Sequence, residues 1–355
     1  MTTLYNIICC VIILGIIIFI HELGHFSVAK ALKVRVDEFG IGYPPRIIAT
    51  TKGETTYSLN WIPLGGFNRF NVDETGTDTR ALNNQKPWKR LLIALAGSVA
   101  TALLAYVIVF LALIVPHDIG VTGGQMQISA VVDDTPAAAV GLMPGDIILA
   151  ANGIEISYES RLEDAIAGKL DQENIITVKK VDGSIVDLTV IPRSNPPEGQ
   201  GALGIMVQLV NYEIVRGSVP FFEAIPLSVT TTNSFYTLFF GAIGKIFAGE
   251  EAVDVAGPIS IVQITGAYLD LGFSTLLLFM ALLCINLAVL NMLPIPGLDG
   301  GQVIIAIIEW IRGKPLPDTA TRVINMIGFL FIAALMVFAI SSDIGRLISG
   351  VSILP

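Results

Sequence analysis

The sequence predicts a polytopic α-helical membrane protein with four transmembrane helices, an inserted extracytoplasmic α+β domain and a short membrane-associated β hairpin. Hydrophobic residues make up 53% of the 355 residues and charged residues only 14%, which is far too apolar for a soluble globular protein of this size. Four apolar stretches each supply the roughly 20 residues that span a hydrocarbon core. A long polar segment, large enough for a domain, separates the second stretch from the third.

The four predicted spans are residues 4–31, 88–115, 273–293 and 323–340. Residues 30–90 carry ten Lys or Arg, and the loop after the third span carries Arg312, Lys314 and Arg322. Positively charged loops stay in the cytoplasm, so a multi-pass protein of the cell (inner) membrane is expected, with both termini and the long insert outside. The three cysteines fall within apolar stretches, which argues against a disulfide framework. No basic surface indicates a nucleic-acid partner.

The first span runs without a charge into the motif HELGH at residues 21–25. If the helix continues, His21 and His25 stand one turn apart on one face, where two imidazoles can share a zinc ion. Glu22 can then activate a water molecule on that ion. Ionisable side chains are costly in a lipid span and usually mark function. No small-residue cleavage site follows, so this segment is predicted to be a permanent span at whose cytoplasmic end the motif lies.

The first cytoplasmic loop contains the segment TTYSLNWIPLGGFNRF at residues 55–70. Its alternating apolar residues, followed by Pro63 and the pair Gly65 and Gly66, predict a short β hairpin rather than a helix. Such a hairpin can dip into the membrane only where protein or water covers its backbone. The residues alone leave open whether it does so or lies at the interface.

The insert alternates like a small β-rich domain, with strand candidates at residues 128–132, 147 onward, 175–179 and 185–190. The run GLMPGDIILAANG, residues 141–153, adds a Gly-Asp turn and an Asn-Gly hairpin signal. Its GL-x-x-GD-x-I pattern resembles a bacterial PDZ domain, here over residues 121–193. Such domains bind an extended peptide at a sheet edge, so a peptide or a substrate ectodomain is the expected partner; a spacer is the alternative.

A Pro/Gly-rich linker follows, and residues 221–247 are apolar but interrupted by Glu223, Pro226 and Lys245. We interpret them as a helix along the outer membrane surface, with a helix that enters the membrane as the alternative. The chain then divides into an N-terminal membrane part (1–120), a PDZ-like domain (121–193), a linker with the outer helix (194–270) and a C-terminal membrane part (271–355).

Two histidines are too few for a catalytic zinc, which usually has three protein ligands. The topology places the third histidine, His117, outside, so a carboxylate is the expected ligand. Asp299, in NMLPIPGLDGG after the third span, reaches the same depth as HELGH. In the apolar span before it, the amides Asn286 and Asn291 can bind a substrate backbone or stabilise an oxyanion, or they can hold helices together.

The motifs occur together and in order: HELGH, WIPLGGF, one PDZ-like insert, GPISI at residues 257–261, and NMLPIPGLDGG. In this combination the chain resembles the site-2 protease family of intramembrane zinc metalloproteases, in its bacterial branch with one PDZ domain. The resemblance covers essentially the whole chain. HExxH alone is a weak signal, but it gains specificity when the LDG motif and four spans accompany it.

The resemblance implies Zn²⁺ held by His21, His25 and Asp299, with Glu22 as the general base. It also implies Asn291 as an oxyanion-stabilising or substrate-binding amide. The implied reaction is cleavage of transmembrane segments of single-pass membrane proteins within the lipid bilayer. A pre-cut anti-sigma factor or a signal-peptide remnant is an example of such a substrate in regulated intramembrane proteolysis.

The resemblance implies substrate contacts as well. Asn286 would touch the substrate, and the hairpin ending in Gly65 and Gly66 would be the family's membrane-associated β loop, which pairs with an unwound substrate helix. The chain departs from the family in its second span, where Ser98 and Thr101 replace a Pro and an Asn. A straighter second helix is therefore expected.

Two other classes remain as hypotheses. A non-catalytic membrane adaptor would use a structural metal site and a peptide-binding PDZ domain, but a structural site has no use for Glu22 beside its first ligand. A transporter would use the same ionisable groups to carry ions, and it predicts an internal repeat that the sequence lacks.

Overall fold

The computed structural model describes residues 2–73, 77–157, 161–197, 200–250 and 256–349. The helices, in chain order, are α1 (Thr2–Ala31), α2 (Pro87–Ile114), α3 (Pro136–Ala139), α4 (Leu162–Ala167), α5 (Phe221–Ala248), α6 (Pro258–Asp270), α7 (Phe273–Asn291), α8 (Asp299–Arg312) and α9 (Asp318–Ser349). The strands are β1 (Val36–Lys52), β2 (Thr55–Phe70), β3 (His117–Val131), β4 (Ile147–Ala151), β5 (Ile154–Glu155), β6 (Asn174–Lys179), β7 (Ile185–Val190) and β8 (Ile205–Gly217). The chain forms two compact units, Met1–His117 with Val219–Pro355, and Asp118–Ser218.

Four of the described helices, α1, α2, α7 and α9, are long and apolar enough to cross a membrane, as the sequence predicted. The protein is therefore a multi-pass membrane protein. The described part of α9 continues to Ser349, nine residues beyond the predicted end of the fourth span. Beyond the predicted spans, the LDG motif opens a separate helix, α8, instead of ending the third span.

Helices α1, α2 and α7 share one apolar core, in which Ile17, Val109 and Ile285 are almost fully buried. Small residues let α1 and α2 approach closely. A Cβ atom built on Gly24 would lie only 2.4 Å from the Ala96 carbonyl oxygen. Close backbone approach through small residues is how helices pack in lipid, where apolar side chains gain little by burial. The Gly of HELGH is thus fixed by packing between two helices.

The prediction of a hairpin confined to residues 55–70 is wrong. The turn lies at Gly53, and β2 pairs with the long strand β1, which the sequence analysis did not predict. Across the sheet, segment 46–52 pairs with 55–60, and 56–59 pairs on its other side with 38–41. Segment 36–41 in turn pairs with 66–70, which forms the far edge. Alternation within 55–70 identified a strand but could not show that its partner precedes it in the chain.

The inserted unit is an α+β domain around a five-strand path in the order β7-β6-β4-β3-β8, with β5 beside β4. Its four predicted strands are confirmed. The predicted boundary at residue 193 is wrong, because β8 lies beyond the Pro/Gly-rich loop and pairs beside β3. Most β8 side chains are exposed, so the segment lacks the apolar alternation that predicts a strand. Ile128, Ile148 and Val178 lie at the buried centre of the inserted unit.

The structure favours the alternative for 221–247, a helix that enters the membrane, because α5 lies alongside α2. Phe221 contacts Phe110 with ring centroids 5.2 Å apart, and Asn233 accepts a hydrogen bond from the Tyr106 hydroxyl at 2.7 Å. The hydroxyls that made this stretch look polar bond to carbonyls of their own helix, as from Thr232 to Ser228. Hydroxyls whose hydrogen bonds are made within their own helix can lie beside other helices at membrane depth.

Helix α6, which starts in the GPISI motif, contacts both the first helix, α1, and the last helix, α9. The Asp343 carboxylate of α9 accepts hydrogen bonds from the backbone amides of Gly257 and Ile259, at 3.0 and 2.9 Å, and from Ser260. Gly266 packs against Asn6 near the start of α1. Carboxylates at a helix N-terminus satisfy its free amides. The start of α1 and the described end of α9 therefore lie at the same end of the bundle.

Candidate metal centre

Three predicted ligand residues come together between α1 and the start of α8. His21 Nε2 and His25 Nε2 are 3.3 Å apart, and Asp299 Oδ2 lies 3.2 and 3.4 Å from them. Both histidines are buried and Asp299 is half-buried. Within the described residues, they form a His/His/Asp group suited to a metal ion.

Hydrogen bonds at the opposite ring nitrogens define the histidine tautomers. His25 Nδ1 lies 2.7 Å from the Ile93 carbonyl oxygen, which only accepts, so Nδ1 carries the proton. Thr101 donates its hydroxyl hydrogen to the Gly97 carbonyl at 3.0 Å, so its oxygen accepts from His21 Nδ1 at 3.1 Å. Both Nε2 atoms then present lone pairs to the same point. Metal-ligating histidines are held in this way by their second nitrogen.

The donor set fits zinc. Bonds of about 2.0–2.1 Å at tetrahedral angles separate ligand atoms by roughly 3.3 Å, and the three separations here range from 3.2 to 3.4 Å. Two neutral imidazoles and one carboxylate also leave a fourth position open, as catalytic zinc sites do. Two lone pairs facing each other beside a carboxylate repel unless a cation lies between them. The residues present therefore fit a catalytic zinc ion.

The chain reaches Asp299 through a break in helical structure. Helix α7 ends at Asn291, and α8 begins at Asp299 after a segment with Pro294 and Pro296. A Cβ atom on Gly300 would lie 2.2 Å from the Leu293 carbonyl oxygen, so only glycine allows this tight return. Ser98 Oγ donates to Asp299 Oδ2 at 3.3 Å. The break thus aims the carboxylate back at α1 and α2.

Glu22 lies at the boundary between the metal cluster and the β1/β2 sheet. Its Oε2 accepts a hydrogen bond from Asn68 Nδ2 at 2.7 Å, and its backbone oxygen accepts another at 2.8 Å. A Cβ atom on Gly66 would lie 3.0 Å from Glu22 Cγ, so glycine leaves room for the side chain. Glu22, Asn68, His25 and Asp299 line one cavity of about 370 Å³.

The other predicted site residues divide into near and far groups. Asn291 Nδ2 lies 3.4 Å from His21 Nε2, at the rim of the cluster. Gly65 has a positive φ of 128° and packs against the Tyr43 ring. Asn286 is exposed on α7, five residues before Asn291 and therefore on another helix face. The structure does not bring Asn286 to the cluster.

Helix α2 supplies contacts that the sequence analysis gave no role. Ser98 and Thr101, noted there only as departures from the family pattern, are 2% and 0% exposed and bond to Asp299 and His21. A Cβ atom on Gly97 would lie 2.2 Å from His25 Nε2. Residues 97 and 101 are one turn apart, so their spacing was an available signal. Side chains on a strand alternate with a period of two, so Asn68 shares a face with Gly66, and this spacing was a second available signal.

Charged side chains form ion pairs within the β1/β2 sheet and between its turn and α1. Burial on its own would raise the pKa of Glu38, but hydrogen bonds and ion pairs with Arg46 and Arg69 bring that pKa below its ordinary value. Hydrogen bonds from Arg80 and then Lys30 lower the pKa of Glu54 to about 2. Because the lowered pKa keeps Glu54 ionised, its ties to α1 weaken only as the pH falls from about 4.5 toward 2.

The sequence model of peptidase family M50 matches residues 9–335. A protein of Clostridium acetobutylicum that is named a zinc metalloprotease is 30% identical over 349 residues, which cover 96% of this chain and 97% of that protein. One from Nostoc sp. with the same type of name is 31% identical over 360 residues, covering 96% of each chain. A third, from Clostridium perfringens, is 32% identical over 332 residues, covering 92% of this chain and 95% of that protein.

These similarities favour a protease over the adaptor and the transporter, because relatives named for the enzymatic activity match nearly the full length of the chain. The family match covers both HELGH and the LDG segment, which supply the three clustered ligands. The chain therefore belongs to peptidase family M50, the site-2 protease family, and is a zinc-dependent metalloprotease.

Proposed function

We propose that this metalloprotease is an intramembrane endopeptidase that cuts transmembrane segments of single-pass membrane proteins. One observation carries the proposal: the His21, His25 and Asp299 cluster forms among helices of membrane-spanning length. A protease acting on soluble chains has no need to bury its metal ligands among such helices, where ionisable groups are costly. The substrate class follows from the place of the site.

Each residue at the cluster has a role in peptide hydrolysis. His21, His25 and Asp299 would hold a zinc ion, which would supply a Lewis acid and would lower the pKa of a bound water toward about 7. Glu22 accepts the proton of the attacking water and later delivers it to the leaving nitrogen. The Asn291 amide donates a hydrogen bond to the scissile carbonyl oxygen as its negative charge develops. Ser98 keeps the Asp299 carboxylate oriented.

The edge segment 66–70 provides the place for an extended substrate. It pairs with 36–41 on one side, and no other described strand pairs with it on the other. A helical peptide bond is hidden within its own hydrogen-bond ladder, so a substrate must unwind before cleavage. Pairing with a free strand edge replaces those hydrogen bonds. Gly66 places this edge against Glu22, which supports the assignment of Gly65 and Gly66 to substrate binding.

An apolar cleft supports access from the lipid phase. It lies between α2, α5 and α7, has a volume of about 390 Å³, and is lined by Ser98, Tyr236, Phe240 and Met292 among others. Ser98 is the residue that contacts Asp299, so the cleft leads toward the metal ligands. Membrane lipids and a membrane-spanning substrate are the occupants that its apolar lining fits.

For the inserted unit we propose a PDZ-like role at the extracytoplasmic side. A groove of about 470 Å³, lined by Leu162, Ile166, Leu203 and Ile205 among others, runs between α4 and the start of β8. An apolar groove beside a terminal strand of a sheet suits an extended peptide or a substrate ectodomain. The positive charge of the loops at 30–90 and 312–322 supports a topology in which this unit and both termini lie outside the cytoplasm.

Glu22→Gln tests the proposed chemistry. Because Gln cannot accept a proton, the variant should retain one zinc ion per chain and lose cleavage of a model membrane-spanning substrate, with kcat falling at least roughly 100-fold. Zinc content by elemental analysis and product formation in detergent or vesicles are the measurements. Asn286→Ala, which leaves the cluster intact, is the control for intact folding. Cleavage by the Glu22→Gln variant at close to the wild-type rate would contradict the proposal.

A further inference from the structure

Asn68 lies on the edge segment 66–70 and makes two hydrogen bonds to one residue of α1. We propose that Asn68 is a positioning residue, which holds the Glu22 carboxylate in its working orientation beside the metal ligands. This inference rests on the proposed role of Glu22 as the general base. It assigns to the sheet a second function beside substrate pairing, namely the orientation of the proton acceptor.

The geometry defines which atom of the amide faces Glu22. Asn68 contacts the Glu22 backbone oxygen at 2.8 Å and carboxylate Oε2 at 2.7 Å. Both are acceptors, so the amide nitrogen, and not the amide oxygen, must face them. One NH₂ group therefore spans the main chain and the side chain of the same residue. Because the amide nitrogen is also bonded to the main chain of Glu22, the carboxylate that it holds loses most of its freedom to rotate away.

A general base gains from such restraint. Glu22 has three rotatable side-chain bonds and borders an open cavity, so without a partner its carboxylate samples several positions. Proton transfer requires heavy atoms within hydrogen-bond reach, about 2.6–3.2 Å, of the water that is activated. The bond to Asn68 uses Oε2 and leaves Oε1 as the oxygen that can accept the proton. The sheet thus fixes which oxygen acts.

A comparison with Asn60 separates this role from ordinary sheet stabilisation. Asn60 lies on the same strand, and its amide nitrogen donates to the backbone oxygens of Ile41 and Gly42 at 3.2 and 3.0 Å, inside the sheet. The side-chain hydrogen bonds of Asn68 within the described residues go to Glu22 alone. Asn60 therefore holds the sheet together, whereas Asn68 connects the sheet to α1.

The test uses the full-length zinc-loaded protein and a model membrane-spanning substrate. Asn68→Leu keeps the approximate shape and removes the donor, so kcat should fall roughly 10- to 100-fold, the usual cost of losing an orienting partner, while KM and zinc content change little. Asn68→Gln restores the amide on a longer chain and should recover part of kcat. Asn84→Leu, which removes an exposed loop amide that donates to the Asp78 backbone oxygen, should leave kcat near the wild-type value.

A double-mutant cycle reads the contact without cleavage. The Tm of Asn68→Leu, Glu22→Ala and the double variant should be non-additive, because either change removes the same hydrogen bond. If Asn68→Leu matches wild-type kcat, or the Tm changes add, the Asn68 proposal fails while the proposed function stands. If the wild-type protein itself does not cleave, the proposed function fails, and the Tm cycle alone decides the contact.

Discussion

At the scale of single residues, Thr101 shows how a neutral hydroxyl sets the protonation of a buried histidine. Its one hydrogen is committed to the Gly97 carbonyl, so its oxygen can only accept from His21 Nδ1. The lone pair of His21 therefore stays on Nε2, where the other ligands converge. Thr101 thus supplies the acceptor at this position with a single small polar group.

Thr101→Val removes this acceptor and keeps the shape. We expect zinc affinity to fall roughly 10- to 100-fold, as for other lost partners of metal-bound histidines, and Thr101→Ser to retain most of it. Competition with a zinc chelator measures the change. Thr232→Val is the matched control, because Thr232 is equally buried and bonds to a carbonyl four residues back, but in α5. Equal losses in both variants would contradict the role of Thr101.

Sequence reasoning located the ligands because their signals are local or chemical. HELGH has helical spacing, and Asp299 is a carboxylate in an otherwise apolar, glycine- and proline-rich context. It assigned no role to Ser98, Thr101 or Asn68, whose contacts join separate elements and depend on how these elements pack. Asn286 was expected at the substrate because an amide is costly in lipid, but cost alone does not define a helix face.

At the scale of elements, the metal site depends on the close packing of α1 against α2. Gly24 and Gly97 mark the contact, one from each helix. Gly24 touches the backbone of α2, and Gly97 leaves room for the His25 ring. Any side chain at either position moves the helices apart, and with them the histidines and their partners on α2.

Gly24→Ala should disrupt this packing. Its Cβ would lie 2.4 Å from the Ala96 carbonyl oxygen, whereas a Cβ on Gly15 of the same helix meets nothing within 4 Å. Overpacking typically costs about 1–3 kcal/mol, so Tm and zinc retention should both fall. Gly15→Ala should leave both unchanged or slightly raised, since alanine favours helix by about 0.5–1 kcal/mol. Similar results for the two variants would contradict the packing argument.

The elements that sequence reasoning missed have a common cause. Strand β1, strand β8 and the position of α5 depend on partners distant in the chain, and their own residues carry weak periodicity or mixed polarity. The four spans and the strands β4, β6 and β7 were predictable because apolar length or alternation is read within one segment. Local patterns identify an element, and tertiary pairing decides where it goes.

At the scale of the whole molecule, the two chain segments of the membrane unit that flank the insert are hydrogen-bonded to each other. The Val219 amide donates to the Leu113 carbonyl at 2.9 Å, so the chain leaves and re-enters the membrane unit at one point. Residues 118–218 can therefore be replaced by a short linker without separating α2 from α5. The membrane unit keeps all three metal ligands when this is done.

We propose that the PDZ-like unit screens substrates and admits those whose bulky outer part has already been removed. Replacement of 118–218 by a Gly/Ser linker tests this screening role. The variant should retain zinc and cleave a trimmed substrate, and it should also cleave a full-length substrate that the wild-type protein rejects. Gel analysis of both substrates gives the ratio of cleavage rates. A cysteine placed at Lys169, labelled in intact cells by an impermeant reagent, checks that the unit lies outside. Unchanged selectivity would refute the screening role.

The distribution of the metal ligands along the chain has a consequence for biosynthesis. His21 and His25 are made first, whereas Asp299 follows more than 270 residues later. At synthesis rates of about 5–20 residues per second, the nascent chain spends roughly 15–55 seconds with two ligands and no third. During that interval α1 is in the membrane without a complete zinc site. The three-ligand metal centre is therefore complete only after the segment that follows the third span, with Asp299, has been made.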